Sequence, residues 1–274
     1  MKTFERILPW LIVFALAVYV VSKARPPKSD GPMDIAAFGS IPVLEGGRIK
    51  PMQTFAEISL MTISKTTTFV KNPPRAAWEP GEKQEKGRGD EGTATEWVLE
   101  VIADTEASRH YEVFKIENMD VIHAMGLPER QRFRYSVADM IAHDGAPLCK
   151  LVEHLQETEC TPPDQLSPML VAMRDLYRDF ALYRSIADGA KPLLVPADFE
   201  NAIKPVTTPQ GEVSVYDVPI GPSIQPILSA YKADNVSAFN TAVAEFRGKI
   251  IDRVPDGPTR LNVELFYNSF DPFV

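Results

Sequence analysis

The chain has 274 residues, 45% of them apolar, and carries 37 Asp and Glu against 29 Lys and Arg for a net charge of −8. That apolar content is enough for one large core or two small ones. An acidic body with no basic patch interleaved with aromatics points away from nucleic acid as a partner. Only two cysteines are present and no C-x-x-C-H run occurs, so the chain is not itself a c-type cytochrome.

The first 28 residues differ from the rest. Lys2, Arg6, Lys23, Arg25 and Lys28 face Glu5 alone, and residues 7–22 hold no charged side chain. At ~1.5 Å per residue that apolar run reaches ~24 Å, which snorkelling by Arg6 and Lys23 extends towards a ~30 Å hydrocarbon core. Trp10 and Tyr19 suit the two interfaces, and Pro9 falls in the first turn, where its missing N–H is harmless. The run reads as an uncleaved transmembrane anchor. A cleaved signal peptide is the competing reading, since Ser22-Lys23-Ala24 loosely matches an A-x-A site. Counted alone, the cations after the run would hold residues 23 onward inside.

A proline- and charge-rich linker over 25–32 follows. Residues 41–51 predict a two-stranded ribbon turning at Gly46-Gly47, which can take the positive φ of a tight hairpin. A helix is expected over 54–64, then a mobile loop at about 71–93 whose Pro, Gly and mixed charges cannot offset chain entropy. Further helices are expected over 95–103, from Ser136 with Asp139 as a capping-box partner, over 148–157, from Ser167-Pro168 to Gly189, and over 236–251. Short strands are expected over 112–116 and as a hairpin over 206–208 and 213–215. No internal repeat is visible. The sum is a mainly α fold with small β-hairpins (α+β): a transmembrane anchor with flanks over 1–28, then a helix-rich domain over 29–274.

Candidate chemistry is sparse. His110, His123, His143 and His154 are not spaced as a helical metal pair, and His143 could share a helix face with His154 only if one helix crossed Gly145-Ala146-Pro147. Glu153 and Glu157, one turn apart, read as a solvated face. No catalytic constellation, phosphate loop or calcium loop is present. Cys149 and Cys160 could close one disulfide in an oxidising compartment, or stand as two separate thiols. Arg48 and Lys50, two apart on a ribbon strand, project to one face. They read either as edge-strand charge that keeps the ribbon soluble or as a grip on anionic groups.

Three blocks carry a family resemblance. The first is residues 38–56, with Ile41-Pro42-Val43, Gly47-Arg48-Ile49-Lys50-Pro51 and Thr54-Phe55-Ala56. The second is residues 97–141, with Val113-Phe114-Lys115-Ile116-Glu117-Asn118, Met125-Gly126-Leu127 and Arg134-Tyr135-Ser136. The third is residues 239–273, with Phe239-Asn240, Val243, Glu264-Leu265-Phe266-Tyr267-Asn268 and Pro272-Phe273. In that order they resemble system II cytochrome c biogenesis proteins of the CcsA/ResC type, in extended or fused forms. The tryptophan-rich loop and membrane histidines that hold haem in such proteins have no counterpart positions in this chain. The resemblance implies an accessory or scaffold portion of the machinery that delivers haem and attaches it to apocytochrome c. It also implies an extracytoplasmic location for residues after the anchor, held at the cytoplasmic (inner) membrane on the periplasmic side. CcsA/ResC-type and ResB-type components would be partners, with haem handled by a partner or by a C-terminal portion lying beyond this chain. The chain would be at most part of a haem-lyase complex. A membrane-anchored extracytoplasmic adaptor without haem function is the alternative.

Overall fold

The structure, a computed structural model, describes residues 8–14, 18, 31–71, 90–130, 132–159, 162, 165–197, 206–208, 211–213, 218–254, 259, 261 and 263–265. Within these, helices predominate and the strands form small antiparallel pairs, as an α+β fold requires. Residues 8–14 are helical, with side chains as large as Trp10 and Phe14 exposed at 74% and 68%. Among the described residues no helix is long and apolar enough to cross a membrane.

The domain begins with helix α1 (Ile35–Gly39), capped by Asp34, whose carboxylate accepts the Ala37 amide at 2.8 Å. Strands β1 (Pro42–Glu45) and β2 (Arg48–Pro51) pair in the register Pro42↔Pro51, Val43↔Lys50, Leu44↔Ile49 and Glu45↔Arg48. Gly46 and Gly47 turn the hairpin at φ +59° and +71°, both values that a two-residue turn of this hand demands. The two prolines face each other at a pair that exchanges no ladder bonds, so neither missing N–H weakens the ribbon. Helix α2 (Met52–Ser64) follows at once, starting two residues ahead of the expected position.

The last residues of the stretch expected as a loop at 71–93 are strand instead. Strands β3 (Thr68–Val70) and β4 (Glu91–Thr93) pair across it, and the Lys71 amide bonds the Asp90 carbonyl at 2.9 Å. Residues 72–89 lie outside the described residues. Thr93 and Glu96 then form a reciprocal capping box on helix α3 (Ala94–Ile102). This helix is the centre of the core: Trp97, Val98 and Leu99 are fully buried, and α1, α2 and the later helix α7 (Pro168–Ala187) pack around it.

The strand expected over 112–116 shrinks to β5 (Phe114–Lys115), paired with β6 (Arg134–Tyr135). Between them, Asn118 caps helix α4 (Met119–Met125), which Gly126 ends at φ +73°. Ser136 and Asp139 form the expected capping box, on the short helix α5 (Val137–Met140). The helix expected over 148–157 is longer: α6 (Ala142–Glu159) crosses the Gly145-Ala146-Pro147 stretch that the sequence reading treated as a stop. Gly145 does leave helical geometry, at φ +79°, while its amide bonds the Ile141 carbonyl. Pro147 then falls in the turn just after that kink, where a missing N–H is tolerated.

Helix α7 starts at Ser167 as N-cap with Pro168 in its first turn, and Gly189 follows at φ +66°. Strands β7 (Val206–Thr208) and β8 (Gly211–Val213) form the expected hairpin, with the return strand two residues earlier than anticipated. Helix α8 (Gln225–Lys232) packs on α9 (Val236–Ile251), which occupies the expected span and is capped by Asn235. Phe239 and Val243 of α9 are fully buried in the same core as Phe38, Phe55, Trp97, Phe114 and Tyr135.

Candidate functional site

Among the described residues the β1–β2 hairpin is fastened on one edge only. Leu44 exchanges both backbone bonds with Leu193, at 2.9 and 3.1 Å, and the Leu194 amide bonds the Val218 carbonyl at 2.8 Å. Leu193 and Pro219 bridge in turn, so β1 is followed by two further extended segments. Because Leu44 directs its N–H and C=O away from β2, the Leu44↔Ile49 pair is a non-bonded one. Ile49 opposite it must direct its own N–H and C=O outward, along the outer edge of β2. No backbone partner for either group occurs among the described residues.

Arg48 and Lys50 flank Ile49 on the opposite face of the strand, as the sequence spacing implies. Arg48 is exposed and Lys50 half-buried. Glu45 stands across the ladder from Arg48, but its carboxylate is 3.4 Å from the Lys191 ammonium. Neither Arg48 nor Lys50 forms an ion pair with a described residue. Arg48 thus stands opposite this carboxylate, Lys191 pairs with it, and Lys50 lies one ladder pair further along the same face.

The other polar clusters are structural in geometry. Arg130 is fixed by two bonds to Asp139 (2.9 and 2.8 Å), one to Glu112 (3.2 Å) and one to the Arg134 carbonyl (3.1 Å), and it lies 5.1 Å above the Tyr135 ring. Burial pushes Glu112 above the usual carboxylate range, against the pull of Arg130. The Glu100 carboxylate is shared by the hydroxyls of Tyr111 and Tyr231, and burial first, then that carboxylate, drives both phenols up. Asp179 is pushed up to about 6 by burial between α2 and α7, with Lys65 at 4.0 Å pulling it back and Asp175 adding to the rise.

No protein-family model matches the chain, and no curated protein matches it. The assignment of a role therefore rests on the residues themselves.

The histidines are dispersed. His123 meets Glu129 at 2.7 Å, His110 meets Glu106 at 3.5 Å, and His154 meets the Lys150 carbonyl at 2.8 Å; the side chain of His143 lies outside what the structure describes. Among the described residues no group of three or more His, Cys, Asp or Glu is placed to hold a metal ion. Glu153 is exposed, in line with a solvated face. Cys149 is exposed on α6. Cys160, the other partner of the expected disulfide, lies outside the described residues.

The sequence reading located Arg48 and Lys50 but missed Ile49 and Lys191. Lys191 carries no local signal, because only the pairing of Leu44 with a residue far along the chain brings it to Glu45. The outward direction of Ile49 was readable in principle, by counting bonded and non-bonded pairs back from the Gly46-Gly47 turn.

Proposed function

We propose that this chain is the membrane-anchored accessory or scaffold portion of a cytochrome c biogenesis machinery, with haem handled on a partner. The observation that carries the reading is the order of the three resembling blocks, 38–56, 97–141 and 239–273. Their buried aromatics Phe38, Phe55, Trp97, Phe114, Tyr135 and Phe239 share one core, so the blocks act as one folding unit. Anchoring is supported by the exposed apolar helix at 8–14, whose side chains suit lipid better than water.

In this role the anchor tethers the domain outside the cytoplasmic membrane. The domain holds CcsA/ResC-type and ResB-type components, or apocytochrome c, in place while thioether bonds form to reduced thiols elsewhere. Co-expressing the haem-handling subunit and an apocytochrome with and without this chain tests the proposal. A clear fall in holocytochrome yield on omission is expected, and an unchanged yield overturns it. Recovery of envelope proteins but no cytochrome assembly components from detergent-solubilised membranes would favour the haem-independent adaptor.

A further inference from the structure

We propose that the outer edge of β2 is a strand-addition site for an extended acidic segment of a partner protein, read as acidic–apolar–acidic. The inference stands on the hairpin geometry alone and does not depend on the cytochrome reading. Ile49 presents one N–H and one C=O side by side on the outer edge, and these match the closely spaced pair of bonds that an incoming antiparallel strand exchanges with one residue. The incoming residue opposite Ile49 would turn its side chain to the half-buried Ile49 face, which favours an apolar group. Its two neighbours would stand opposite Arg48 and Lys50, where cross-strand Cβ atoms lie ~5 Å apart. Carboxylates there would neutralise two cations for which the described residues supply no counter-ion, Glu45 being committed to Lys191.

Two other occupants fit less well. A second copy pairing edge to edge through Ile49 would set Arg48 against Lys50 twice, placing like charges directly opposite one another. An anionic lipid headgroup would satisfy the cations but offers no backbone to the Ile49 N–H and C=O. Pro51 ends the edge after Ile49 and Lys50, so the site accepts a short segment and does not propagate a sheet.

The test uses the full chain in zwitterionic nanodiscs and a fluorescein-labelled peptide with the core Glu-Val-Glu between threonines, followed by fluorescence anisotropy. Saturable binding is expected, weakening as salt rises. N-methylation of the central valine should reduce affinity at least tenfold, as should the double variant Arg48→Gln/Lys50→Gln, with its fold checked by circular dichroism. A Lys-Val-Lys peptide should not bind. Three results would overturn the proposal. They are no saturable binding of the acidic peptide, equal binding of the N-methylated peptide, or no peptide binding while the double variant loses affinity for phosphatidylglycerol nanodiscs. The last would assign the cations to lipid headgroups. None of these readouts involves cytochrome assembly, so failure here leaves the proposed function standing.

Discussion

The backbones of Gly189 and Gly221 touch: the Gly221 amide donates to the Gly189 carbonyl oxygen at 3.0 Å, and a methyl group on Gly221 would lie 2.8 Å from Gly189 Cα. This crossing joins the end of α7 to the segment leading into α8, so it seats the C-terminal helix pair on the core. The obstructing atoms are backbone and cannot swing aside. Gly221→Ala should therefore destabilise the domain by ~2–3 kcal/mol, read as a lowered urea midpoint. Gly189→Ala should cost more, because its φ of +66° adds strain to the clash. Wild-type stability in both variants would refute the close crossing.

Arg130 neutralises two partly buried carboxylates at once. Replacing it with Met keeps much of the packing on Tyr135 but leaves Glu112 and Asp139 without their counter-charge. The expected loss is ~3 kcal/mol at pH 7. Glu112, already pushed up by burial, would lose the Arg130 charge that pulls it back, so the native state would bind its proton more tightly still relative to the unfolded chain. The deficit should shrink as pH falls from 7 towards 4. Urea titrations of wild type and Arg130→Met at pH 7 and pH 4.5 measure it; a deficit equal at both pH values would argue against this account.

Asp179 supplies a pH dependence of its own. Its native pKa is pushed up from 3.8 to about 6, so the native state holds this proton more tightly than the unfolded state does. Stability from this group is therefore highest below pH 4 and falls as pH rises to 6. The full cost above that window is at most ~3 kcal/mol, reduced in practice by the partial exposure of the side chain. Asp179→Asn should flatten the pH 4–6 limb and raise stability at pH 7. Differential scanning calorimetry across that range decides, and a variant less stable than wild type at pH 7 would mean that the Lys65 contact outweighs desolvation.

Asn240 ties α9 to the segment that opens the domain. Its side-chain oxygen accepts the Asp34 amide at 2.8 Å, and its side-chain nitrogen donates to the Pro32 carbonyl at 3.2 Å. Asn240→Ala should cost ~1–2 kcal/mol and speed hydrogen exchange at the Asp34 amide well beyond that at core amides such as Leu99. Unchanged exchange at Asp34 would show that the tie carries no load.

Much of this fold was legible because its signals are local. Ser136 with Asp139, Ser167 with Pro168, and the apolar spacing of Val236, Phe239, Val243 and Ile250 each announce a helix within a few residues. Helix α1 escaped notice because five residues are too few to show a period. The crossing of Gly145-Ala146-Pro147 was misjudged because a glycine kink and a first-turn proline can share one continuous helix. The candidate site divided the same way. The shared face of Arg48 and Lys50 follows from strand pleating alone, whereas the capture of Glu45 by Lys191 depends on a pairing 146 residues away, which no local pattern encodes.

The Asn240 tie also orders events during synthesis. Pro32 and Asp34 leave the ribosome 208 and 206 residues ahead of the side chain that holds them. At ~5–20 residues per second that interval is ~10–40 s. Throughout it the domain cannot yet close at its own threshold. Closure of the domain at Pro32 and Asp34 thus waits for α9, whose Asn240 locks these early residues in place.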